Sequence, residues 1–260
     1  MSSSLRTLIF VSSIVLIGLN FYSYFTPAIK NLTGFDRYSS HLATTAIYHI
    51  LFFGVGGFIL RSKNGKFVKD SEVSPRNKSR ITVAGILVIL FTTLCYGLLL
   101  KNQAILPSET LKNSGSNGWL SFVAICLIGP LLEEYFFRGS FQKLSENLIG
   151  SKWAIMLTTV YFTFFHEISN HTPLIVISSL IFSITYYSTK SIKAAVIQHS
   201  ITNFISWSII ASSSHTTETD RNDYPEGFII FTLIVTLLMF LAYLMFFWYV
   251  KKAIKNEAID

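Results

Sequence analysis

The sequence predicts an all-α fold: a polytopic transmembrane bundle of about eight helices with both termini in the cytoplasm. Three observations predict it. Of the 260 residues, 51% are hydrophobic and only 13% are charged. The apolar residues fall in segments near the roughly 20 residues that a helix needs to cross a bilayer core. The basic residues concentrate in alternate connections between those segments, as in multi-pass membrane proteins. This composition excludes an ordinary soluble domain.

Eight segments have the length and apolarity of a transmembrane helix, and the chain 1–260 is therefore predicted to be a single integral membrane domain. In chain order they are Leu5–Tyr24, His41–Leu60, Ile81–Leu100, Trp119–Phe137, Lys152–Ser169, Thr172–Ser188, Ala194–Ala211 and Phe228–Val250. The connection between the fifth and sixth segments is very short, so the limits of these two are the least sharply marked.

The distribution of basic residues predicts the orientation of the chain. If all eight segments cross, 16 of the 21 Lys and Arg residues lie on one side, with Arg138 counted in the loop after the fourth segment. The positive-inside rule places that side, and both termini, in the cytoplasm. The basic loop from Arg61 to Arg80 is explained by this topology and by contact with anionic lipid headgroups. The lipid bilayer is therefore an expected partner, and nucleic acid is not.

The fourth segment carries charge in an apolar helix. Translocon-based scales give about 2.5–3.5 kcal/mol for a charged Asp, Lys or Arg at a helix centre, so such groups persist mainly where pairing or function compensates them. Glu134 and Arg138 are four residues apart, which predicts an ion pair. Glu133 lies about 140° around the helix from Arg138 and projects toward a different neighbour. The simplest division makes Glu134 structural and leaves Glu133 free for chemistry.

Pro130 predicts irregular backbone one turn before the two acids. It lacks an N–H, so in a regular α-helix the carbonyl of Cys126 loses its partner and the helix kinks. Such backbone is tolerated at membrane depth only against protein or a water-filled cavity.

Two further segments carry polar groups in apolar surroundings. Phe162 and His166 are four residues apart at the end of the fifth segment, and His199 and Asn203 share a helix face in the seventh. Helix rise places Glu133 and His199 both about 9 Å from the cytoplasmic boundary. The same count places His166 about 10 Å deeper, which is more than a side chain bridges comfortably.

These groups match the parts needed to cleave an amide with water. Glu133 can take a proton from water, and an imidazole can orient that water or protonate the leaving amine. His199 and Asn203 can donate hydrogen bonds to the oxyanion, each typically worth about 3 kcal/mol. A serine nucleophile is not favoured, because Ser200 points about 100° away from its neighbour His199.

Three motifs occur together in this part of the chain: E-E-x-x-x-R at Glu133–Arg138, F-x-x-x-H at Phe162–His166 and H-x-x-x-N at His199–Asn203. Together they resemble the CPBP family of intramembrane glutamic endopeptidases, also called the Abi or CAAX-protease-like family. The resemblance implies a catalytic core over residues 119–211 and no cofactor. Relatives often have a glycine before the third motif, where this chain has Thr189-Lys190-Ser191-Ile192. This difference is expected to alter the mouth of the site.

The resemblance also implies a role for each motif residue. Glu133 and His166 would activate the water, while His199 and Asn203 would form the oxyanion site. The implied supporting residues are Glu134, Arg138 and Phe162.

The leading hypothesis is an endopeptidase in a bacterial plasma membrane that cuts a membrane-delivered peptide or protein, with bacteriocin self-immunity or peptide maturation as its setting. One glutamate and two histidines also match a common zinc ligand set, so a zinc-dependent version of the same protease is the runner-up. A non-catalytic membrane regulator or immunity scaffold is a third hypothesis. Intramembrane Glu, His and Arg also build proton relays, which leaves a transporter open.

Overall fold

A helical run from residue 122 to residue 149 carries both acids and contacts helices from both halves of the chain. The computed structural model describes residues 21–34, 37–63, 73–100, 122–166, 172–213 and 228–257. Within these ranges the regular secondary structure is helical throughout, and no strand occurs. The predicted all-α class is therefore confirmed for the described part of the chain.

The described residues contain three stretches of π-helix, which interrupt otherwise α-helical runs. The described α-helices before residue 122 are α1 (Phe21–Thr33), α2 (Arg37–Tyr48), α3 (Gly56–Lys63) and α4 (Pro75–Leu100), and the π-helical segment His49–Val55 joins α2 to α3. The run 122–149 contains the π-helical segment Ala124–Ile128, α5 (Gly129–Phe136), the π-helical segment Phe137–Gln142 and α6 (Lys143–Ile149). The other helices in the described ranges are α7 (Ser151–Phe164), α8 (Thr172–Thr189), α9 (Ile192–Ser213) and α10 (Phe228–Glu257).

Three described helical stretches are long and apolar enough to cross a membrane: Ala43–Leu60, Pro75–Cys95 and Thr172–Thr189. They coincide with the second, third and sixth predicted spans. The first predicted span, Leu5–Tyr24, lies outside the described residues except for its last four, which belong to α1. The orientation of the chain and the cytoplasmic termini stay predictions.

The helix does not end at Phe137, where the fourth predicted span ends. The helix continues to Ile149, and every residue from Phe137 to Gln142 is buried. Arg138, counted above among the loop charges, is fully buried. The polar residues of this stretch suggested a loop, but the rings of Phe137 and Phe141 recur at helical spacing and pack in the core.

Other predicted boundaries also shift, because polar ends of helices carry no apolar signal. The predicted connection between the first two spans contains most of α1, and α4 begins at Pro75 rather than Ile81. The last helix continues past Val250 to Glu257. In the fifth predicted span, Lys152–Ser169, α7 ends at Phe164, and residues 167–169 lie outside the described residues.

A tight reversal at Gly150 sets the register between the first two motifs. Gly150 has φ +79° and ψ 160°, a conformation that is essentially restricted to glycine. Two ring contacts join residues that stand at nearly equal sequence distances before and after Gly150. The ring centroids are 5.2 Å apart for Phe141–Tyr161 and for Phe137–Phe162. Glu133 and His166 stand 17 residues before and 16 residues after this glycine. The reversal at Gly150 therefore brings Glu133 and His166 to the same height along their helices. This removes the difference in depth of about 10 Å that helix rise predicts.

The turn before the third motif also has an unusual backbone. Lys190 has φ +49°, a left-handed conformation that is uncommon for residues other than glycine. Its Nζ lies 3.0 Å from Oε2 of Glu146 and 4.4 Å from the centroid of the Tyr187 ring. These two contacts hold the Lys190 side chain at the turn.

We expect Gly150→Ala to lower the free energy of unfolding by about 1–3 kcal/mol, because alanine is strained in this conformation. Among the described residues, no atom beyond Gly150 and its chain neighbours lies within 4 Å of the added Cβ, so the loss would come from the backbone alone. Chemical unfolding in detergent micelles measures it. Asn147→Ala, an exposed change in α6, is the control and should stay within about 0.5 kcal/mol of wild type. Equal stability of the two variants would contradict this account of the turn.

Candidate active site

Glu133 lies at the centre of a cluster of three histidines from three other parts of the chain. Its side chain is only 11% exposed. Nε2 of His49 lies 2.7 Å from Oε1. Nε2 of His166 lies 3.8 Å from Oε2, and Nε2 of His199 lies 3.9 Å from the same oxygen. The structure thus brings Glu133 close to both histidines named by the sequence motifs and to one that no motif names.

Hydrogen bonds determine which ring nitrogens of the two motif histidines carry protons. Nδ1 of His166 lies 2.8 Å from the carbonyl oxygen of Phe162, so Nδ1 donates and Nε2 of the neutral ring keeps its lone pair. Nδ1 of His199 lies 2.9 Å from Oε1 of Glu134, so it also donates. Both Nε2 atoms are therefore left facing Glu133.

His49 is held from both sides. Its Nδ1 lies 2.8 Å from the carbonyl oxygen of Thr45, and its Nε2 contacts Glu133 as described. A carbonyl and a carboxylate are both acceptors. Making both hydrogen bonds requires two protons on the His49–Glu133 pair. The pair is therefore either a protonated imidazole facing a carboxylate or a neutral imidazole facing a protonated carboxyl group.

Glu134 and Arg138 form the predicted ion pair, and both side chains are fully buried. Nη1 of Arg138 donates to Oε1 of Glu134 at 2.9 Å, and Nη2 donates to the backbone oxygen and the hydroxyl of Ser179 at 3.0 and 2.9 Å. The guanidinium carbon lies 4.5 Å from the centroid of the Phe162 ring, a cation–π distance. Oε1 of Glu134 also accepts from His199. The supporting residues thus hold a histidine of the third motif.

Asn203 compensates for irregular backbone in the first motif helix. The N–H of Gly129 bonds to the carbonyl of Ala124, a π-helical register of five residues. In that register the carbonyl of Ile125 would accept from residue 130, which is proline and has no N–H. Nδ2 of Asn203 donates to that carbonyl at 2.8 Å. The prediction that Pro130 frees a carbonyl of its helix is therefore correct, but the atom is not that of Cys126.

Close helix packing brings His49 to the site. A Cβ added at Gly57 would lie 2.8 Å from the Tyr135 ring, too close to be accommodated without movement. Glycine at this position lets the helical run 37–63 approach α5. The π-helical segment that begins at His49 packs against α5 as a result.

Motif reasoning missed His49, although the sequence carried a signal for it. An ionisable residue inside a transmembrane segment suggests a functional site by default. His49 lies in the middle of the second predicted span, yet no ionisable residue stands three or four positions from it, and its contact with Glu133 joins residues 84 positions apart.

The arrangement of the His, Cys, Asp and Glu side chains bears on whether this part of the chain could hold a metal ion. Among the residues that the structure describes, no group of three or more His, Cys, Asp or Glu side chains has an arrangement that could hold a metal ion.

Comparison with known proteins gives one match. The family model described as "Type II CAAX prenyl endopeptidase Rce1-like" matches residues 115–205. No curated protein and no solved structure matches the chain. The matched segment includes all three motifs and excludes His49. It points to a CAAX protease-type endopeptidase, and the apolar helices agree with a membrane protein.

We expect Arg138→Met to lower the free energy of unfolding by about 3–5 kcal/mol, because it leaves Glu134 buried without its cation. Adding Glu134→Gln should restore part of the loss, since the uncompensated charge disappears. Unfolding in detergent measures both, with the exposed Lys152→Met as control. A loss in Arg138→Met no larger than that of the control would contradict the importance of this pair.

We expect Asn203→Ala to lower the free energy of unfolding by about 1–3 kcal/mol, because the carbonyl of Ile125 loses its donor. Pro130→Ala restores an N–H to the helix, so the same change should have a smaller effect in that background. A double-mutant cycle measures the difference. Strict additivity of the two changes would show that the proline and the carboxamide are not linked through this carbonyl.

Proposed function

We propose that the chain is an intramembrane endopeptidase of the glutamic type in the CAAX-protease (CPBP) family, and the match of residues 115–205 to the CAAX prenyl endopeptidase model supports this proposal. In this proposal Glu133 activates water for hydrolysis of a peptide bond in a membrane-associated peptide or protein.

The proposal depends on the position of Oε2 of Glu133 between two histidines. This oxygen is buried, has no hydrogen-bond partner among the described residues, and lies 3.8 and 3.9 Å from Nε2 of His166 and of His199. These separations are too long for direct hydrogen bonds and suit a bridge through one water oxygen. A water there can donate one hydrogen to Oε2 and the other to the lone pair of His166.

In the reaction, the water oxygen attacks the carbonyl carbon while one of its protons passes to Glu133. The oxyanion accepts a hydrogen bond from the second amide N–H of Asn203, whose first is used by Ile125. His199 adds a second donor through Nε2 when both of its ring nitrogens are protonated. The C–N bond then breaks, and Glu133 returns the proton to the amine nitrogen. One water is consumed, and one carboxyl and one amine are formed.

The remaining atoms of the site are arranged to hold these groups in place. Glu134 binds His199 and Arg138 at one oxygen, and the Phe162 ring covers the guanidinium. Catalysis by preorganised groups depends on such fixed orientation.

The expected substrate is delivered by the bilayer, and nucleic acid is not an expected partner. We place the protein as a multi-pass component of a bacterial plasma membrane, acting in bacteriocin self-immunity or in maturation of peptides. The family description concerns prenylated CAAX tails, so a prenylated peptide is the first probe to test in vitro.

We expect Glu133→Gln to reduce cleavage by about 100- to 10,000-fold, because an amide cannot act as the general base. The measurement is a quantitative comparison of membrane and secreted peptides from cells that carry the wild type, Glu133→Gln or a deletion. Glu146→Gln, which removes a carboxylate outside the cluster, is the matched control and should keep wild-type processing. If Glu133→Gln and His199→Ala both retained the wild-type phenotype that the deletion loses, a non-catalytic scaffold would replace the protease.

Chelation distinguishes the two forms of the chemistry. We expect activity to survive exhaustive treatment with a metal chelator, because water activation is assigned here to Glu133 and His166. Loss of activity that stoichiometric zinc restores would establish the zinc-dependent version instead.

A further inference from the structure

We propose that His49 is a positioning residue of this active site: it holds Oε1 of Glu133 so that Oε2 faces His166 and His199. The inference rests on the proposed endopeptidase function. It concerns a residue outside the segment matched by the family model and outside all three motifs.

The first step of the argument is that the carboxylate needs to be oriented. The terminal torsion of a glutamate is broad and roughly two-fold, so the side chain alone does not fix which way its oxygens point. At 2.7 Å, the bond to His49 is the only direct hydrogen bond to this carboxylate among the described residues, since the other two histidines lie 3.8 and 3.9 Å away. Fixing Oε1 also fixes the direction of Oε2.

The second step is that His49 is itself fixed. Its Nδ1 donates to the carbonyl of Thr45 within the same helical run. The rings of Phe53 and Tyr48 meet it edge-on, with centroids 5.2 and 5.9 Å away and interplanar angles of 74° and 84°. The π-helical segment also begins at this residue, and such segments are frequent at functional sites.

The third step concerns the charge of the buried Glu133 carboxylate. A buried carboxylate needs a compensating partner, and Arg138 is occupied by Glu134. The two protons required by the His49–Glu133 pair make that pair neutral overall. Each of the adjacent glutamates therefore has its own partner, and the two partners come from different helices.

The geometry also separates this role from direct catalysis. Both ring nitrogens of His49 are already used, by Thr45 and by Oε1 of Glu133. Neither nitrogen is left for water or substrate. His49 is therefore expected to act through Glu133.

The kinetic test uses the full-length chain in detergent micelles, with a farnesylated peptide ending in a CAAX sequence as the probe and rates normalised to folded protein. His49→Phe removes the donor, and we expect kcat to fall about 10- to 100-fold while KM changes less than about twofold. His49→Gln keeps an N–H at a similar reach and should restore most of the rate. Ile50→Ala, an exposed neighbour in the same segment, is the matched control and should behave as wild type.

A second measurement does not depend on any substrate. A double-mutant cycle on unfolding in detergent compares His49→Phe, Glu133→Gln and the double variant. If the two side chains are paired, the double variant should lose less stability than the sum of the single losses, because coupled partners are not additive.

The results separate this inference from the proposed function. Cleavage that depends on Glu133 but is unchanged in His49→Phe would overturn the role of His49 and leave the protease standing. Equal impairment in His49→Phe and His49→Gln would overturn the hydrogen-bond account. If no cleavage depended on Glu133, the proposed function would fail, and additivity in the cycle would then reject the pairing as well.

Discussion

The structure depends on the burial of two consecutive carboxylates in one apolar helix. Neighbouring residues on a helix point about 100° apart, so Glu133 and Glu134 have different direct hydrogen-bond partners, although His199 lies near both. Glu134 is bonded to Arg138 four residues later and to His199. Glu133 meets His49 and, at longer range, His166 and His199. Satisfying both acids therefore requires side chains from several helices to converge. In this protein the polar cluster around the two acids and the packing of the helices depend on each other.

Irregular backbone supports that convergence. The extra residue of the π-helical segment Ala124–Ile128, followed by Pro130, leaves the carbonyl of Ile125 without an intrahelical donor, and Asn203 supplies one. A defect in the first motif helix is thus corrected by the third motif. A carboxamide suits this task because it has two N–H groups: one can stabilise the backbone while the other remains for a ligand. The same residue can therefore serve the fold and, as proposed, the chemistry.

The features that could be predicted from the sequence are those that depend on residues close together in the chain. The Glu134–Arg138 pair follows from four residues of helix, and the second, third and sixth spans follow from apolar length. The level of His166 could not be predicted, because it depends on a helix that continues through polar residues to a reversal at Gly150. Long-range contacts such as that of His49 leave no periodic pattern. The catalytic roles stay predictions.

The position of His49 changes what the matched segment can do by itself. Residues 115–205 contain the three motifs, yet Oε1 of Glu133 finds its direct partner in a helix that ends at residue 63. Without that helix a buried acceptor would lose its donor, at a cost of about 1–3 kcal/mol and more for a charged group. The carboxylate would also lose the contact that distinguishes its two oxygens. The helical run 37–63 is therefore part of the proposed site, because His49 determines which oxygen of Glu133 is presented to water.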